Sequence, residues 1–180
     1  STGPILGTAA KMQFMPTWVG NTPSWIDPFF AHPNLPAVVF TNFYWASSLP
    51  FWGEPRPGMD KFLAAFAAHG KEFGRPDFYI LTSYIQGLAA LEVAKRSIES
   101  GDMTPDGFMK ALRGVKGWNA GGLIESLDFI PFPYVTSTRT RVLKPDFTKK
   151  SWTVVAGFAE PQVGPAVAAA PGATPEAKPQ

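Results

Sequence analysis

The chain has 180 residues, of which 45% are apolar, 17% are charged and 14% are aromatic, proportions that are sufficient for a folded domain with a buried core. The net charge is only +2, and no basic run is longer than Lys149-Lys150, so the clustered positive charge of a nucleic-acid-binding protein is missing. The absence of cysteine excludes disulfides, thiolate nucleophiles and cysteine-ligated metals.

The first third of the chain alternates helical and extended patterns. Residues 3–14 carry apolar side chains at helical spacing, and "PTWVG" predicts a short buried strand ending at Gly20. Thr22 followed by Pro23 predicts the N-cap and first position of a short helix. "LPAVVFTNF" predicts a strand with its β-branched centre over residues 37–40.

The rest of the chain predicts three helices, three short strands and a tail. "GMDKFLAAFAAHG" is a helix that ends at Gly70, a long helix begins at Asp77 and ends at Gly101, and Thr104 caps a third helix. The apolar face expected for the long helix consists of Ile80, Tyr84, Leu88, Leu91 and Ile98. "GGLIESLDF", "TRTRVLKPD" and "KSWTVVAGF" predict strands. Residues 159–180 are Pro- and Ala-rich without periodicity and predict a disordered or surface-draped tail.

The alternation of helices and strands predicts an α/β fold with a parallel sheet. The strands are too few for a complete doubly wound domain, so we expect the chain to be one piece of such a fold. The sequence opens at Ser1 rather than Met, and its first residues already show helical spacing. We therefore expect a natural start upstream, and the absence of a visible signal peptide does not argue against export.

The order of these elements over residues 3–158 resembles the C-terminal half of a type I periplasmic solute-binding protein. The resemblance is carried by "AAKMQFMPTWVG", by the run from "GMDKFLAAFAAHG" through "RPDFYILTSYIQGLAALEVAKRSIESG" to "MTPDGFMKALRGV", and by "NAGGLIESLDF". The most similar branch is the leucine/isoleucine/valine-binding group of ABC importers. The resemblance thus implies a partial Rossmann-like lobe fold over residues 1–158, followed by the tail at 159–180.

Proteins of this family hold a solute between two α/β lobes that are joined by crossover strands. The resemblance implies a small-molecule solute, an ABC permease as partner, and a first lobe that is missing here and would lie on the same or another chain. It also implies a periplasmic or extracytoplasmic location, with a lipid anchor as one way of attachment through an upstream N terminus. No cofactor or metal is implied.

The loop "VGNTPSW" is the first candidate for solute binding. In amino-acid-binding members the matching loop carries an acidic residue for the ligand ammonium, whereas the aligned position here is Thr22, next to Asn21. A buried ammonium needs a charge partner, so this departure favours a neutral or anionic solute. The alternative is that Thr22 serves only as a helix cap.

The second candidate is the aromatic stretch "TNFYWASSLPFW", expected as a loop at the rim of the cleft. Tyr44, Trp45 and Trp52 are predicted to form a box for an aromatic, apolar or cationic solute, because aromatic faces attract such groups. Phe43 and Phe51 are expected to fill the core beneath the hinge. The alternative for Tyr44 and Trp45 is that they pack in the core instead of contacting a ligand.

The sequence contains none of the motifs that mark common enzyme classes. The metalloprotease, nucleophile-elbow and phosphate-loop patterns are all missing, and we expect no catalytic residues. Two functions remain: the solute-binding component of an ABC importer, and a scaffold or accessory subunit that no longer transports. The low charge, the many aromatic residues and the Pro-rich tail fit the second function.

Overall fold

The computed structural model describes residues 2–74, 76–129 and 139–160. It contains four α-helices and four β-strands within these ranges. The helices are α1 (Thr2–Lys11), α2 (Met59–His69), α3 (Phe78–Glu99) and α4 (Pro105–Arg113). The strands are β1 (Trp18–Gly20), β2 (Phe43–Ser47), β3 (Thr140–Asp146) and β4 (Ser151–Ala159). The predicted tail lies outside the described residues from position 161 onward.

The strands form one sheet in the order β1-β2-β3-β4. β1 and β2 pair in parallel, whereas β2 with β3 and β3 with β4 pair antiparallel. The tight turn between Asp146 and Ser151 requires the antiparallel β3–β4 hairpin, whereas the longer connection from β1 to β2 allows parallel pairing. The predicted α/β class with a parallel-containing sheet is confirmed, with the parallel pairing confined to β1 and β2.

The prediction of a strand centred on residues 37–40 is wrong. Ala37–Phe40 forms a 3₁₀ turn, and strand β2 begins only at Phe43. Pro36 precedes the turn in an extended conformation, and the Thr41 hydroxyl donates to the Val38 carbonyl at 2.8 Å. Val39 and Phe40 are buried. Their apolar side chains therefore belong to the core without being part of the sheet, which is why composition alone pointed to a strand.

The strand predicted at "GGLIESLDF" is also absent. Ala120–Gly122 forms a 3₁₀ turn, and the described part of this segment pairs only through an isolated bridge between Trp118 and Leu127. Leu123 and Ile124 are buried. Their burial accounts for the strand-like pattern, because core residues at adjacent positions also occur in tight turns.

The core consists of two clusters. The first lies against the sheet and is dominated by aromatic side chains, with Trp25 and Trp45 fully buried at its centre. The second lies between α2, α3 and the 118–127 segment, and includes Phe62 and Leu81. Leu49, in the segment after β2, packs against both clusters. The chain therefore has a sheet part and a helical part, and residues 48–58 connect them.

Helix α3 buries a different face from the predicted one. Its buried apolar residues are Phe78, Leu81, Ile85 and Val93. Ile80, Tyr84 and Leu88 are half-buried, whereas Leu91 and Ile98 are 66% and 61% exposed. The helix is therefore apolar on two sides, and only one of them is fully covered by the described residues.

Five charged side chains form an alternating network beside the connection between the two parts. Arg141, in β3, binds Glu54 through two contacts of 2.6 Å, Nη1 to Oε1 and Nη2 to Oε2. Arg56 donates to Glu125 at 2.7 Å, and Arg139 donates to the same carboxylate at 3.0 Å. Because Glu54 and Arg141 are both buried, this pair is the least screened part of the network.

Candidate functional site

The carboxyl end of β1 continues into a short turn that holds the first candidate residues. The Asn21 amide donates to Ser24 Oγ at 3.2 Å, and Ser24 Oγ donates to Asn21 Oδ1 at 2.9 Å. These bonds make Asn21 the N-cap of a 3₁₀ turn over Thr22–Ser24. The expected N-cap at Thr22 therefore lies one residue too late, and the Thr22 hydroxyl makes no hydrogen bond to any described residue. A Cβ at Gly20 would lie 2.7 Å from Cζ of Phe43, so glycine permits this close approach.

Trp45 lies beneath this turn rather than on a cleft wall. Its side chain is 0% exposed, and its indole Nε1 donates to the Asn21 carbonyl at 2.8 Å. Its ring lies 4.6 Å from Trp152 and 4.9 Å from Phe78, centroid to centroid. Trp45 therefore connects the candidate loop to the core and to the start of α3.

Tyr44 points to the opposite face of the sheet. Residues of β2 alternate between buried and half-buried positions, with Phe43, Trp45 and Ser47 on the buried side. The Tyr44 ring lies on the other side, 5.5 Å from Lys144 Nζ. Because consecutive strand residues point to opposite faces, Tyr44 and Trp45 do not share one wall. The stretch expected as a loop is in fact partly a strand.

Trp52 lies in the connection between the sheet part and the helical part. Its ring contacts Phe62 and Phe66 of α2 at centroid distances of 4.9 and 4.8 Å. It also lines a cavity of about 190 Å³ together with Asp27 and Trp152. Among the five candidates, the structure brings together Asn21, Thr22 and Trp45, and it places Tyr44 and Trp52 elsewhere. The expected burial of Phe43 and Phe51 is confirmed.

Three further residues attach the loop to α3, and sequence reasoning assigned none of them to the site. The Tyr79 hydroxyl donates to the Pro23 carbonyl at 3.4 Å, and the Asp27 amide donates to Asp77 Oδ2 at 3.3 Å. Asp77 Oδ1 also accepts from the Tyr79 amide at 2.7 Å, as the N-cap of α3. The sequence identified Asp77 as a helix start, but its second partner is 50 residues away in the chain and carries no local signal.

The carboxyl group of Asp27 has a strongly altered proton affinity. Burial raises its pKa to about 6, and repulsion from Asp77 acts in the same direction. Hydrogen bonds from the Trp25 indole and the Phe78 amide partly oppose this rise. A desolvated carboxylate without an ion-pair partner loses more solvation than it regains, so the charged form is disfavoured here.

This raised pKa predicts a measurable pH dependence of stability. The folded state holds a proton on Asp27 that the unfolded state has released, so stability falls as pH rises from about 4 to about 6. The contribution of this group at pH 7 is about −3 kcal/mol, because its pKa rises from 3.8 to about 6 on folding. This pH dependence is measured by denaturant unfolding of the unmodified chain and of Asp27→Asn between pH 4 and pH 8. We expect the difference between the two proteins to grow in favour of the variant as pH rises. A constant difference would contradict the assignment.

A second concave surface lies on the helical part, between α2 and α3. It is an apolar groove of about 530 Å³. Its lining residues are Phe62, Ala65, Phe66, His69, Gly70, Phe73, Tyr79, Ile80, Ser83 and Tyr84. Phe73 is largely exposed at this groove. The half-buried residues Ile80 and Tyr84 of the second apolar side of α3 contribute to its floor.

Within residues 2–74, 76–129 and 139–160, no cluster of three or more histidine, aspartate or glutamate side chains is arranged to hold a metal ion. In the same ranges, no helix combines the length and the apolar character that a membrane span requires. The polar turn after β1, the cavity at Asp27 and the apolar groove are three of the concave or polar features of the described residues. Two further concave surfaces lie beside Lys61 and Trp118, with a volume of about 310 Å³, and along α1, with a volume of about 450 Å³.

Comparison with known proteins yields structural matches alone. No protein-family model matches the sequence, and no curated protein matches it. The fold superimposes with a TM-score of 0.76 on a fatty acid ABC transporter substrate-binding protein from Thermomonospora curvata, at 19% sequence identity. It superimposes with a TM-score of 0.68 on a branched chain amino acid ABC transporter from Thermus thermophilus with bound valine, also at 19% identity. A third match is an ABC transporter substrate-binding protein from Aeropyrum pernix, with a TM-score of 0.70 and 10% identity.

These matches cover nearly all of this chain but only part of the other proteins. The first covers 89% of this chain and 41% of its counterpart, the second 89% and 43%, and the third 90% and 42%. The chain therefore spans about two fifths of the length of the substrate-binding proteins that it matches. The predicted fold is confirmed: the chain has the fold of part of a type I periplasmic solute-binding protein, as found in ABC transporter substrate-binding proteins.

Proposed function

We propose that the chain is part of the solute-binding component of an ABC-type importer, which holds a small molecule between two lobes and closes around it by a hinge. The observation that carries this proposal is the superposition of 89% of the chain on a fatty acid ABC transporter substrate-binding protein at a TM-score of 0.76. In such a mechanism the solute binds the closed conformation more tightly than the open one and thereby stabilises the closed conformation.

The turn after β1 is the proposed contact surface for the solute. Open α/β sheets bind ligands beyond the carboxyl ends of their strands, and Asn21 and Thr22 stand at that end of β1. The free hydroxyl of Thr22 and the amide of Asn21 suit a neutral or anionic polar group. Trp45 would act through the turn, because its indole holds the Asn21 carbonyl. Tyr44 and Trp52 lie elsewhere, so the proposal does not use them as one aromatic box.

The groove between α2 and α3 is the proposed packing surface for the missing first lobe. The second side of α3 carries apolar residues that the described residues leave half-buried or exposed, and a helix that is apolar on two sides is typical of a fully buried position. The proteins matched are more than twice as long as this chain, since it covers 41–43% of them. The remaining lobe, on the same or another chain, would cover this surface.

The same proposal includes a permease partner and an extracytoplasmic location, because importers of this kind receive their solute from an exported binding protein. Attachment through a lipid at an upstream N terminus belongs to this proposal as well. The solute class follows the matched proteins, whose names specify a fatty acid and a branched chain amino acid. We therefore propose an apolar or amino-acid-like solute.

A direct test uses the protein with its natural termini and a panel of fatty acids, branched-chain amino acids and aromatic acids. We expect one class to raise the melting temperature and to bind with a measurable Kd. Replacing Thr22 by valine is expected to weaken that binding about tenfold, the effect of losing one hydrogen bond to a polar ligand group. The matched control is Thr153→Val, at an exposed position of β4, which should leave the Kd unchanged.

The second candidate function is a scaffold or accessory subunit that no longer transports. Apolar side chains are exposed on the two C-terminal helices, at Leu91 and Ile98 of α3 and at Phe108 of α4. Such exposed apolar residues favour packing against another protein subunit. The experiment above separates the two functions. A protein with natural termini that binds none of the solutes but copurifies in a stable complex without a permease supports the scaffold and excludes the importer.

A further inference from the structure

The cavity at Asp27 is a candidate binding site that is separate from the turn after β1. It has a volume of about 190 Å³ and is formed where the sheet part meets the helical part. Its lining includes Asp27, Phe30, Trp52, Lys150 and Trp152. All these residues belong to the described part of this chain, so ligand binding at this cavity can be tested on the chain itself.

The chemistry of the lining is unusual in one respect. Asp27 is the single carboxylate among the described lining residues, and no described lysine, arginine or histidine forms an ion pair with it. It accepts hydrogen bonds from two neutral donors, the Trp25 indole N–H, which lies 3.1 Å from Oδ1, and the Phe78 amide. A half-buried carboxylate that lines a cavity without an ion-pair partner is a strong acceptor for a cationic ligand group.

The other walls of the cavity favour the same ligand chemistry. Trp52, Trp152 and Phe30 present aromatic surface to it, and aromatic faces attract ammonium groups through their quadrupole. The volume admits a small organic molecule but no polymer. Lys150, an exposed residue with a backbone φ of +50°, also belongs to the lining. It would favour a ligand whose positive charge is turned toward Asp27.

We propose that this cavity binds the ammonium group of a small organic amine, with Asp27 as the charge partner and Trp52 and Trp152 as aromatic walls. The amine contributes N–H donors to the free lone pairs of Asp27, and its alkyl or aryl part lies against the indole rings. No covalent step is involved. The inference goes beyond the proposed function, because it assigns a second site with a different ligand class.

The protonation state of Asp27 sets the pH dependence of this binding. The charged described groups around it are Asp77, from the start of α3, which repels the ionised form, and Lys150, from the turn before β4, which lines the same cavity. The amine binds the ionised carboxylate, and burial raises the Asp27 pKa to about 6. Affinity is therefore expected to rise with pH from about 5 to about 7 and then to level off, since alkylammonium groups stay protonated over this range.

The test titrates this chain with butylammonium and benzylammonium chloride, and with butanol and benzyl alcohol as neutral counterparts, at pH 7.5. Binding is followed by NMR shifts of the tryptophan indole N–H signals and by calorimetry. We expect saturable binding of the amines that the alcohols do not reproduce. Asp27→Asn is expected to weaken amine binding tenfold or more, the effect of losing one charge-assisted hydrogen bond. Asp60→Asn, at an exposed position of α2, is the matched control.

Equal binding of amines and alcohols, unchanged amine affinity in Asp27→Asn, or no saturation at millimolar amine would each overturn the proposal. The folded state of each variant is checked by its near-UV circular dichroism. Asp27→Glu provides a second variant that keeps the charge, and it should retain part of the amine affinity. These outcomes are independent of solute binding at the turn after β1.

Discussion

Replacing Glu54 with alanine is expected to lower the free energy of unfolding by about 3 to 5 kcal/mol, the cost of leaving one member of a buried ion pair without its partner. Arg141 is 4% exposed and binds both oxygens of Glu54 at 2.6 Å. Its remaining bond is from Nη2 to the Leu49 carbonyl, at 3.1 Å. Without Glu54 the guanidinium would remain buried between aromatic rings and one carbonyl. Chemical denaturation at pH 7 measures the loss.

Two controls separate charge burial from general damage. Glu99→Ala removes a carboxylate from an exposed pair with Lys95 at 3.8 Å, and such pairs contribute about 0 to 1 kcal/mol. The double replacement Glu54→Leu with Arg141→Met removes both buried charges and should recover most of the stability. A loss in the Glu54→Ala variant no larger than in Glu99→Ala would show that the buried pair does not stabilise the fold.

Replacing Trp45 with alanine is expected to destabilise the chain by about 3 to 5 kcal/mol, as large-to-small substitutions of buried aromatic residues do. The indole is fully buried against Trp152 and Phe78, and it holds the Asn21 carbonyl through Nε1. Trp45→Phe keeps most of the apolar contact but loses this donor, so we expect an intermediate loss. Thermal and denaturant unfolding of both variants provide the measurement.

The control for Trp45 is Val19→Ala, because Val19 lies in the paired strand β1 and is 71% exposed. That substitution should change stability by less than about 0.5 kcal/mol. If Trp45→Ala were as stable as the unmodified chain, the residue would not be part of the core, and its expected role as a ligand wall would gain support. A large loss of stability in Trp45→Ala would support the role of Trp45 as a core residue that holds the Asn21 turn in place.

The position of the charge network bears on the proposed hinge. Residues 48–58 lead from the sheet part to the helical part, and the chain returns to the sheet at β3. Glu54 and Arg56 lie in the first connection, and Glu125 follows the last described turn of the helical part. The network therefore links the outgoing and returning connections, so changes at Glu54 or Arg56 would also be expected to alter any closing motion.

The sequence by itself determined the helices α2, α3 and α4 and their ends. Asp77 and Thr104 act as N-caps, as predicted, and accept from the amides of Tyr79 and Gly107. Gly70 follows the last residue of α2. These features depend on hydrogen bonds between residues two to four positions apart, and local patterns contain that information. The order of such elements was sufficient to identify the fold that the structural matches confirm.

The tertiary structure alone decided which faces are covered and which residues share a site. Ala37–Phe40 has a strand-like composition but forms a turn, from which Val39 and Phe40 reach the core outside the sheet. Leu91 and Ile98 fit the helical period of α3 but stay exposed. Tyr44 and Trp45 are neighbours in sequence but lie on opposite faces, whereas Asp27 meets Asp77 across 50 positions. Burial and long-range pairing depend on what packs against a residue, and no local pattern specifies that partner.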